Sequence, residues 1–242
     1  MSLKVSIVIG ALREEKRIGK SLKRLHTYLL ETKTLGSTEV IVVAANGGDQ
    51  TIEIVENNLS LFPHHRIIKP GKPIGKGRDI KLGMQAASGD VILFMDADLA
   101  TPLYHMDDAV SLIKHKATDI VIGVRDIRKM HDTKTRFLIS LFGNLAFSVI
   151  SGRYIPDTQC GFKAFNKKAV KKCFSRQTIV GWSFDMELLI IAFEQGLSIT
   201  QLPINDWQNQ PNGTFSGGLK NIFKFGRDLI FMLSNRLAKK YK

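Results

Sequence analysis

Short runs of β-branched and aliphatic residues alternate along this chain with longer amphipathic stretches. Lys4–Ile9, Glu39–Val43, Arg66–Lys69, Asp90–Met95 and Asp119–Val124 are apolar at nearly every interior position, the pattern of strands covered on both faces. Between them, Glu14–Glu31, Asp49–Leu59, Lys76–Ala87 and Leu103–Lys116 carry apolar residues at helical spacing. Strand and helix in alternation predict right-handed crossovers and a mostly parallel, Rossmann-like α/β sheet flanked by helices. The second half is less regular. It predicts an apolar helix over Lys134–Ile150, a strand over Cys160–Phe165, a helix over Phe184–Gln195 and a strand over Ser198–Pro203. Asn205–Gly218, rich in Asn, Gln, Gly and Pro, reads as a loop, after which Gly217 and Gly218 open an amphipathic final helix. With no repeat and no low-complexity linker, the expectation is one α/β domain over 1–218 followed by a basic amphipathic helix over 219–242.

Composition narrows the possible partners. The chain has 242 residues, enough to bury a full core without disulfides. Lys and Arg number 35 against 22 Asp and Glu, a net charge of +13, which points to an anionic partner. Nucleic acid is not expected, because the aromatics do not interleave with the basic residues in a recognisable module. Only Cys160 and Cys173 are present, which suits a reducing compartment. Val5–Leu12 is followed by Arg13, Glu14 and Glu15 in place of a signal-peptidase site. The uncharged stretch Phe137–Gly152 is shorter than the ~18–20 apolar residues that span a bilayer. A cytoplasmic protein, peripheral to a membrane, is expected.

The sharpest chemical signal is Asp96-Ala97-Asp98. Two carboxylates end a buried strand at the edge where open α/β sheets bind ligands. Magnesium takes one or two carboxylates and fills its shell with phosphate oxygens and water, so this pair suits the metal of a nucleoside diphosphate. A solvated strand end capping the helix after Pro102 is the simpler alternative. Gly71–Gly77 (GKPIGKG) matches neither a P-loop nor a dinucleotide fingerprint. With Lys69, Lys72, Lys76, Arg78 and Lys81 it is still a basic, glycine-rich helix entry able to receive a phosphate, and Lys76 is its candidate ligand. Trp182–Glu187 sets an aromatic and two carboxylates at the start of an apolar helix. Asp185 and Glu187, two apart, do not share a helix face, so one at most points into a site.

These segments, taken in order, resemble the family 2 glycosyltransferases of the GT-A fold. The likeness is strongest to the branch containing dolichyl-phosphate glucosyltransferase and dolichyl-phosphate mannose synthase. It is carried by VSIVIGALREE (5–15), GKGRDIKLGMQAASGDVILFMDADLAT (75–101), VIGVR (121–125), DTQCGFKAF (157–165) and WSFDMEL (182–188). The resemblance implies a metal-dependent inverting transfer of a hexose from a nucleotide sugar of the UDP-glucose or GDP-mannose class. It assigns Asp98 to Mg2+ or Mn2+, Asp96 to ribose or metal, and Arg125 to the phosphates. Asp157 and Gln159 fall in the sugar–acceptor region, and Trp182, Asp185 and Glu187 on the acceptor side, with Asp157 and Asp185 the catalytic candidates. Ala11, Glu14 and Asn46 occupy the nucleotide-binding strand ends.

Two strand ends depart from the family. The first usually ends Pro-Ala-Tyr-Asn-Glu and here reads Gly10-Ala11-Leu12-Arg13-Glu14; the second usually ends Asp-Asp-Gly-Ser and here reads Ala44-Ala45-Asn46-Gly47. The family's leading Asp accepts a hydrogen bond from the base, which a methyl group cannot do. Such a loss typically costs ~1.5–3 kcal/mol, and Asn46, Asp49 or backbone groups are the possible substitutes. A non-catalytic nucleotide- or lipid-phosphate-binding relative is therefore a second reading.

The tail suggests the acceptor. Leu219–Lys242 holds seven Lys and Arg against one Asp, with Ile222, Phe223, Leu229, Ile230, Leu233 and Leu237 at helical spacing. A basic, aromatic-bearing amphipathic helix can lie on an anionic membrane, or else pack its apolar stripe on the core. A polyprenyl or dolichyl phosphate arrives already ionised as the nucleophile, whereas a sugar or lipid hydroxyl needs a base, for which Asp185 is the candidate.

Overall fold

The structure is a computed structural model that describes residues 4–116, 118–126, 134–207 and 219–242, of which 134–140 and 219–222 by backbone alone. The Asn205–Gly218 loop lies outside the described residues beyond Trp207, as does the Gly217-Gly218 helix opening.

Among the described residues seven strands form one sheet: β1 (Val5–Ala11), β2 (Thr38–Ala44), β3 (His64–Ile68), β4 (Val91–Asp96), β5 (Ile120–Arg125), β6 (Phe162–Asn166) and β7 (Ile199–Ile204). Their order across the sheet is β3-β2-β1-β4-β6-β5-β7. All neighbours are parallel except β6, which runs antiparallel to both β4 and β5. The helices are α1 (Ile18–Glu31), α2 (Thr51–Leu59), α3 (Lys76–Ala86), α4 (His105–His115), α5 (Lys134–Ser151), α6 (Lys167–Arg176), α7 (Phe184–Glu194) and α8 (Leu219–Leu237).

Alternation along the strands divides the core into two layers. Ile7, Ile9, Leu93 and Met95 face α1, α2 and α4, through Leu22, Leu25, Val55 and Met106 among others. Val8, Ile92, Phe94 and Phe165 face α3, α6 and α7, together with Phe147 of α5 and Met232 of α8. Helix α7 is buried from Phe184 to Ala192, as expected of a helix apolar all round.

Two differences from the sequence-based expectation have local causes, and one open alternative is seen in place. Helix α1 begins at Ile18 rather than Glu14, because Arg17 at φ −123° leaves helical geometry and stands as the cap, while its side chain pairs with Glu14 at 2.8 Å. Helix α6, for which no element was expected, is capped by Asn166, whose side chain accepts from the Ala169 amide at 2.8 Å; its apolar residues are Ala169, Val170, Cys173 and Phe174. The final helix docks on the domain: Met232 is buried in the α3-side core, and Arg236 pairs with Glu194 at 2.7 Å.

The register places the site. Gly10 lies beside Asp96 and Ala11 beside Ala44, so the carboxyl ends of β1, β2 and β4 form one row. Strand order reverses direction between β1 and β4, the crevice where open α/β sheets bind ligands.

Candidate active site

The chain leaves β4 through a tight turn in which the Leu99 amide donates to the Asp96 carbonyl at 3.0 Å. Leu99 takes φ +49° and is buried. A branched side chain in the left-handed region is strained, and here the turn holds Asp96 and Asp98 together at the crevice. Asp98 Oδ1 accepts the Ala100 amide at 3.1 Å. Burial, and then the neighbouring Asp96 charge, raise the Asp98 carboxyl above its ordinary range. Asp96 has room only because residue 161 is glycine: a Cβ there would lie 1.9 Å from Asp96 Oδ2.

Lys76, the first residue of α3, reaches Asp96 Oδ1 at 2.5 Å and lies 5.0 Å from the centre of the Trp182 ring. Burial alone would lower the Lys76 ammonium; the Asp96 and Asp185 charges outweigh it and push it up. The flanking glycines serve packing. A Cβ on Gly75 would sit 2.2 Å from the Val180 carbonyl oxygen, and one on Gly77 2.7 Å from that of Ile179. The glycine-rich helix entry thus presses the 179–181 segment against α3 and aims Lys76 at β4.

Below this surface lies a second pair. Lys163, in the middle of β6 between Phe94 and Ile122 on the neighbouring strands, is 0% exposed. Its Nζ donates to the Cys160 carbonyl at 2.7 Å and to Asp185 Oδ1 at 2.6 Å. Asp185 is 2% exposed; burial raises its carboxyl despite Lys163 and Lys76.

A third pair closes the β5 side. Arg125 grips Asp157 in a two-pronged contact, Nε–Oδ2 at 2.7 Å and Nη2–Oδ1 at 3.1 Å. Burial would raise Asp157, but the Arg125 guanidinium holds it below the usual carboxylate range. Asp157 also accepts the Gln159 amide at 3.2 Å, leaving the Gln159 side chain exposed, and Trp207 lies 5.2 Å from the guanidinium. Met95, Asp96, Leu99, Ala100, Thr101, Gly161 and Trp207 line a narrow cleft between this pair and the β4 turn.

On the β1–β2 side, Glu14 is held by Arg17 and its amide by Thr51 Oγ1 at 2.8 Å. Burial raises the Glu14 carboxyl, with the Asp98 and Asp96 charges adding to it, so these carboxylates share one electrostatic neighbourhood. Ala11, Ala44 and Ala45 are buried. Asn46 is exposed; its amide donates to the Gly71 carbonyl at 2.9 Å and its side-chain oxygen accepts from Gly48.

Of the expected residues only Asp96 lines the cleft itself. Lys76 is tied to it through Asp96 and Trp182 through Lys76, and Arg125 with Asp157 meets it at Trp207. Asp98 follows in the β4 turn, and Glu14 and Asn46 lie at the adjacent strand ends. Glu187 points elsewhere. It is 0% exposed and accepts from the Thr178 and Ile179 amides at 2.9 and 2.8 Å, from Tyr241 at 2.9 Å and from the Thr178 hydroxyl. In the sequence Gly161 and Lys163 stand only as members of the DTQCGFKAF segment, without a role, and nothing there singles out Trp207. A lone lysine between Phe162 and Ala164 was the available signal, since a buried charge requires a partner.

Among the described residues no three His, Cys, Asp or Glu side chains form a ready metal cage. The Asp96–Asp98 donor set nevertheless fits a hard divalent cation that takes its remaining ligands from a diphosphate and water. Asp98 has no ion-pair partner among the described residues, and burial beside a like charge makes a cation favourable there.

The family Glycosyl transferase family 2 matches residues 6–174. A dolichyl-phosphate beta-glucosyltransferase of Trichomonas vaginalis is 34% identical over 238 residues, covering 95% of this chain and 72% of the relative. The dolichyl-phosphate beta-glucosyltransferase of Saccharomyces cerevisiae is 30% identical over 252 residues, covering 94% and 73%. Among solved structures, mannosyl-3-phosphoglycerate synthase of Rubrobacter xylanophilus aligns with a TM-score of 0.73 at 15% identity, over 98% of this chain and 75% of that one. Glucosyl-3-phosphoglycerate synthase of Mycobacterium tuberculosis, crystallised with Mn2+, UDP and glucosyl-3-phosphoglycerate, aligns with a TM-score of 0.64 at 20% identity, over 97% and 80%. At these identities the structural likeness shows the fold alone.

Proposed function

The chain belongs to glycosyl transferase family 2, and from that membership we propose that it transfers glucose from UDP-glucose to a polyprenyl phosphate of the dolichyl class at a membrane surface. The relatives named dolichyl-phosphate beta-glucosyltransferases support the sugar and the acceptor.

One observation carries the choice of a phosphate acceptor over a hydroxyl: each carboxylate on the acceptor side is buried and paired or hydrogen-bonded through at least one oxygen. Asp157 is held by Arg125, Asp185 by Lys163, and Glu187 by Thr178, Ile179 and Tyr241. A hydroxyl acceptor needs a base with an open oxygen in the cleft. Asp185, the base in the alternative reading, is buried beneath the cleft instead. A lipid phosphate brings an ionised oxygen and needs orientation and charge balance.

The roles follow. Asp98 and Asp96 would hold Mg2+ or Mn2+, which when bound neutralises the charge growing on the leaving diphosphate. Lys76 fixes Asp96 and presents positive charge at the crevice, and Arg125, oriented by Asp157, does so from the β5 side. Asp185 balances Lys163 and adds to the field that keeps Lys76 charged. Trp182, about half exposed, offers an apolar face for the sugar or the first isoprene unit. The nucleobase would meet exposed Asn46 and backbone groups at the ends of β1 and β2; Ala11, expected to touch it, is buried with Ala44 and Ala45 and lies behind that surface.

No helix among the described residues is long and apolar enough to cross a membrane. Helices α5 and α8 nevertheless lie together, a Cβ on Gly143 being 3.2 Å from the Phe225 ring. They expose Phe142 and Val149 on one, and Phe223 (78%) and Ile230 (71%) on the other, with Arg227, Lys239 and Lys240 exposed on α8 and the tail after it. That combination suits the interface of an anionic bilayer. Co-flotation with anionic vesicles is expected for the unmodified chain and strongly reduced for Phe223→Asp/Ile230→Asp; equal flotation would count against this surface.

The reaction is tested by UDP release from UDP-glucose with Mn2+ and vesicles carrying either a polyprenyl phosphate or the corresponding polyprenol. Release with the phosphate alone is expected. Release with the alcohol would restore the hydroxyl reading, and tight donor binding without turnover on either would make the chain a binding protein.

A further inference from the structure

Asp185 and Glu187 part company on α7. Asp185 faces Lys163 under the cleft, whereas Glu187 faces the segment 177–183, which leads from α6 to Trp182. That segment is locked to the start of α3. The Gln177 side-chain amide donates to the Gly77 and Ile179 carbonyls, both at 2.9 Å. Lys81 Nζ donates to the Gln177 carbonyl at 2.8 Å, and the Arg78 amide to the Val180 carbonyl at 3.2 Å. Wherever 177–183 sits, Trp182 and Lys76 sit with it.

Helix α8 and the residues after it grip the same segment from outside. The Ser183 hydroxyl donates to buried Asp228 of α8 at 2.8 Å. The Asn235 side-chain amide lies 3.4 Å from Thr178 Oγ1 and 3.3 Å from the Tyr241 hydroxyl. Tyr241, 1% exposed, donates to Glu187 Oε1, which also accepts from the Thr178 hydroxyl. The tail is pinned in turn: Gln195 donates to the Tyr241 carbonyl at 2.8 Å and Arg176 to the Lys242 carbonyl at 3.2 Å. A tyrosine buried to this degree with a directed hydroxyl is not needed to end a helix, because α8 already stops at Leu237.

We propose that Tyr241 is a positioning residue for the acceptor side of the site. Through Glu187 it fixes the 177–183 segment, so that the helix carrying the exposed apolar surface and the indole beside Lys76 move as one body. A lipid-phosphate acceptor held at that surface is thereby registered against Lys76 and Trp182. The role in acceptor binding rests on the proposed transfer to a lipid phosphate; the mechanical role does not.

Tyr241→Phe in the full chain keeps the ring and removes the hydroxyl. The first readout needs no substrate. The chain has two tryptophans, so in a Trp207→Phe background acrylamide quenching reports Trp182 alone, and quenching is expected to rise on Tyr241→Phe. In the chain with both tryptophans, KM for the polyprenyl phosphate should rise about tenfold, the worth of one hydrogen bond of about 1.4 kcal/mol, with KM for UDP-glucose unchanged. Unchanged quenching with unchanged acceptor KM would overturn the proposal. A lower melting temperature with unchanged quenching would also overturn it, because Tyr241 would then only stabilise the fold. Raised quenching in a chain that turns over no nucleotide sugar would uphold the mechanical coupling and sink the transferase reading on which its consequence rests.

Discussion

Asp98→Asn is expected to abolish metal-dependent donor binding and to lower turnover by about 10²- to 10³-fold, the cost of removing one group aimed at developing transition-state charge. The substitution is nearly isosteric and keeps an oxygen for the Ala100 amide, so the β4 turn should survive. What it removes is the negative charge. Asp98 is partly buried beside Asp96, and both features raise its carboxyl, so the pair is costly unless something positive arrives. Lys76 supplies that for Asp96, and Asp98 has no equivalent partner among the described residues. Calorimetry with UDP-glucose, with and without Mn2+, checks this: the metal-dependent increment in affinity should vanish in the variant. Unchanged affinity would take Asp98 out of the metal's coordination shell.

Lys163→Met is expected to be the most destabilising single change in the site, by about 3–5 kcal/mol, because it strands a buried carboxylate. Lys163 is fully buried and Asp185 nearly so. Neither charge can turn to water, and the Lys163 ammonium lies over the Phe94 ring at 5.5 Å. For a chain of this length each kcal/mol corresponds to roughly 2–4 °C in melting temperature, so a fall of roughly 6–20 °C should appear by calorimetry. Lys163→Met/Asp185→Leu removes both charges and should regain most of that loss, since replacing a buried pair by apolar groups is often neutral. A single variant as stable as the unmodified chain would show that Asp185 is not held as an ion pair. A stable but inactive double variant would assign the pair to the field at Lys76 and Asp96.

Much of this site was legible because the carboxyl ends of parallel strands are where apolar runs stop. Asp96 and Asp98 announce themselves as acids directly after Val91–Met95, and the spacing that separates Asp185 from Glu187 correctly forbids them a common face. The positions that remained hidden depend on contacts made by the sheet order. Nothing within Cys160–Phe165 states that β6 runs against its neighbours, since local pattern encodes burial but not pairing direction. Yet that reversal brings Gly161 against Asp96 and Lys163 over Asp185. The glycines around Lys76 read equally as a helix entry able to receive a phosphate and as a solvated helix start, and neither reading contains the tertiary contact with the Val180 and Ile179 carbonyls that leaves no room for a Cβ there. Helix α6 escaped notice because its lysines dominate the composition of Lys167–Arg176, masking an apolar stripe four residues in period.

The claim on which the functional account depends is that the acids ending β4 bind a cation together with a nucleoside diphosphate. Crystals grown with UDP and Mn2+ test it through the anomalous signal of manganese. The account predicts a peak at a coordination distance of about 2.1 Å from an Asp98 carboxylate oxygen, with the diphosphate in the crevice between β1 and β4. A manganese peak elsewhere, or UDP bound with Asp98 and Asp96 turned away from it, would contradict the account.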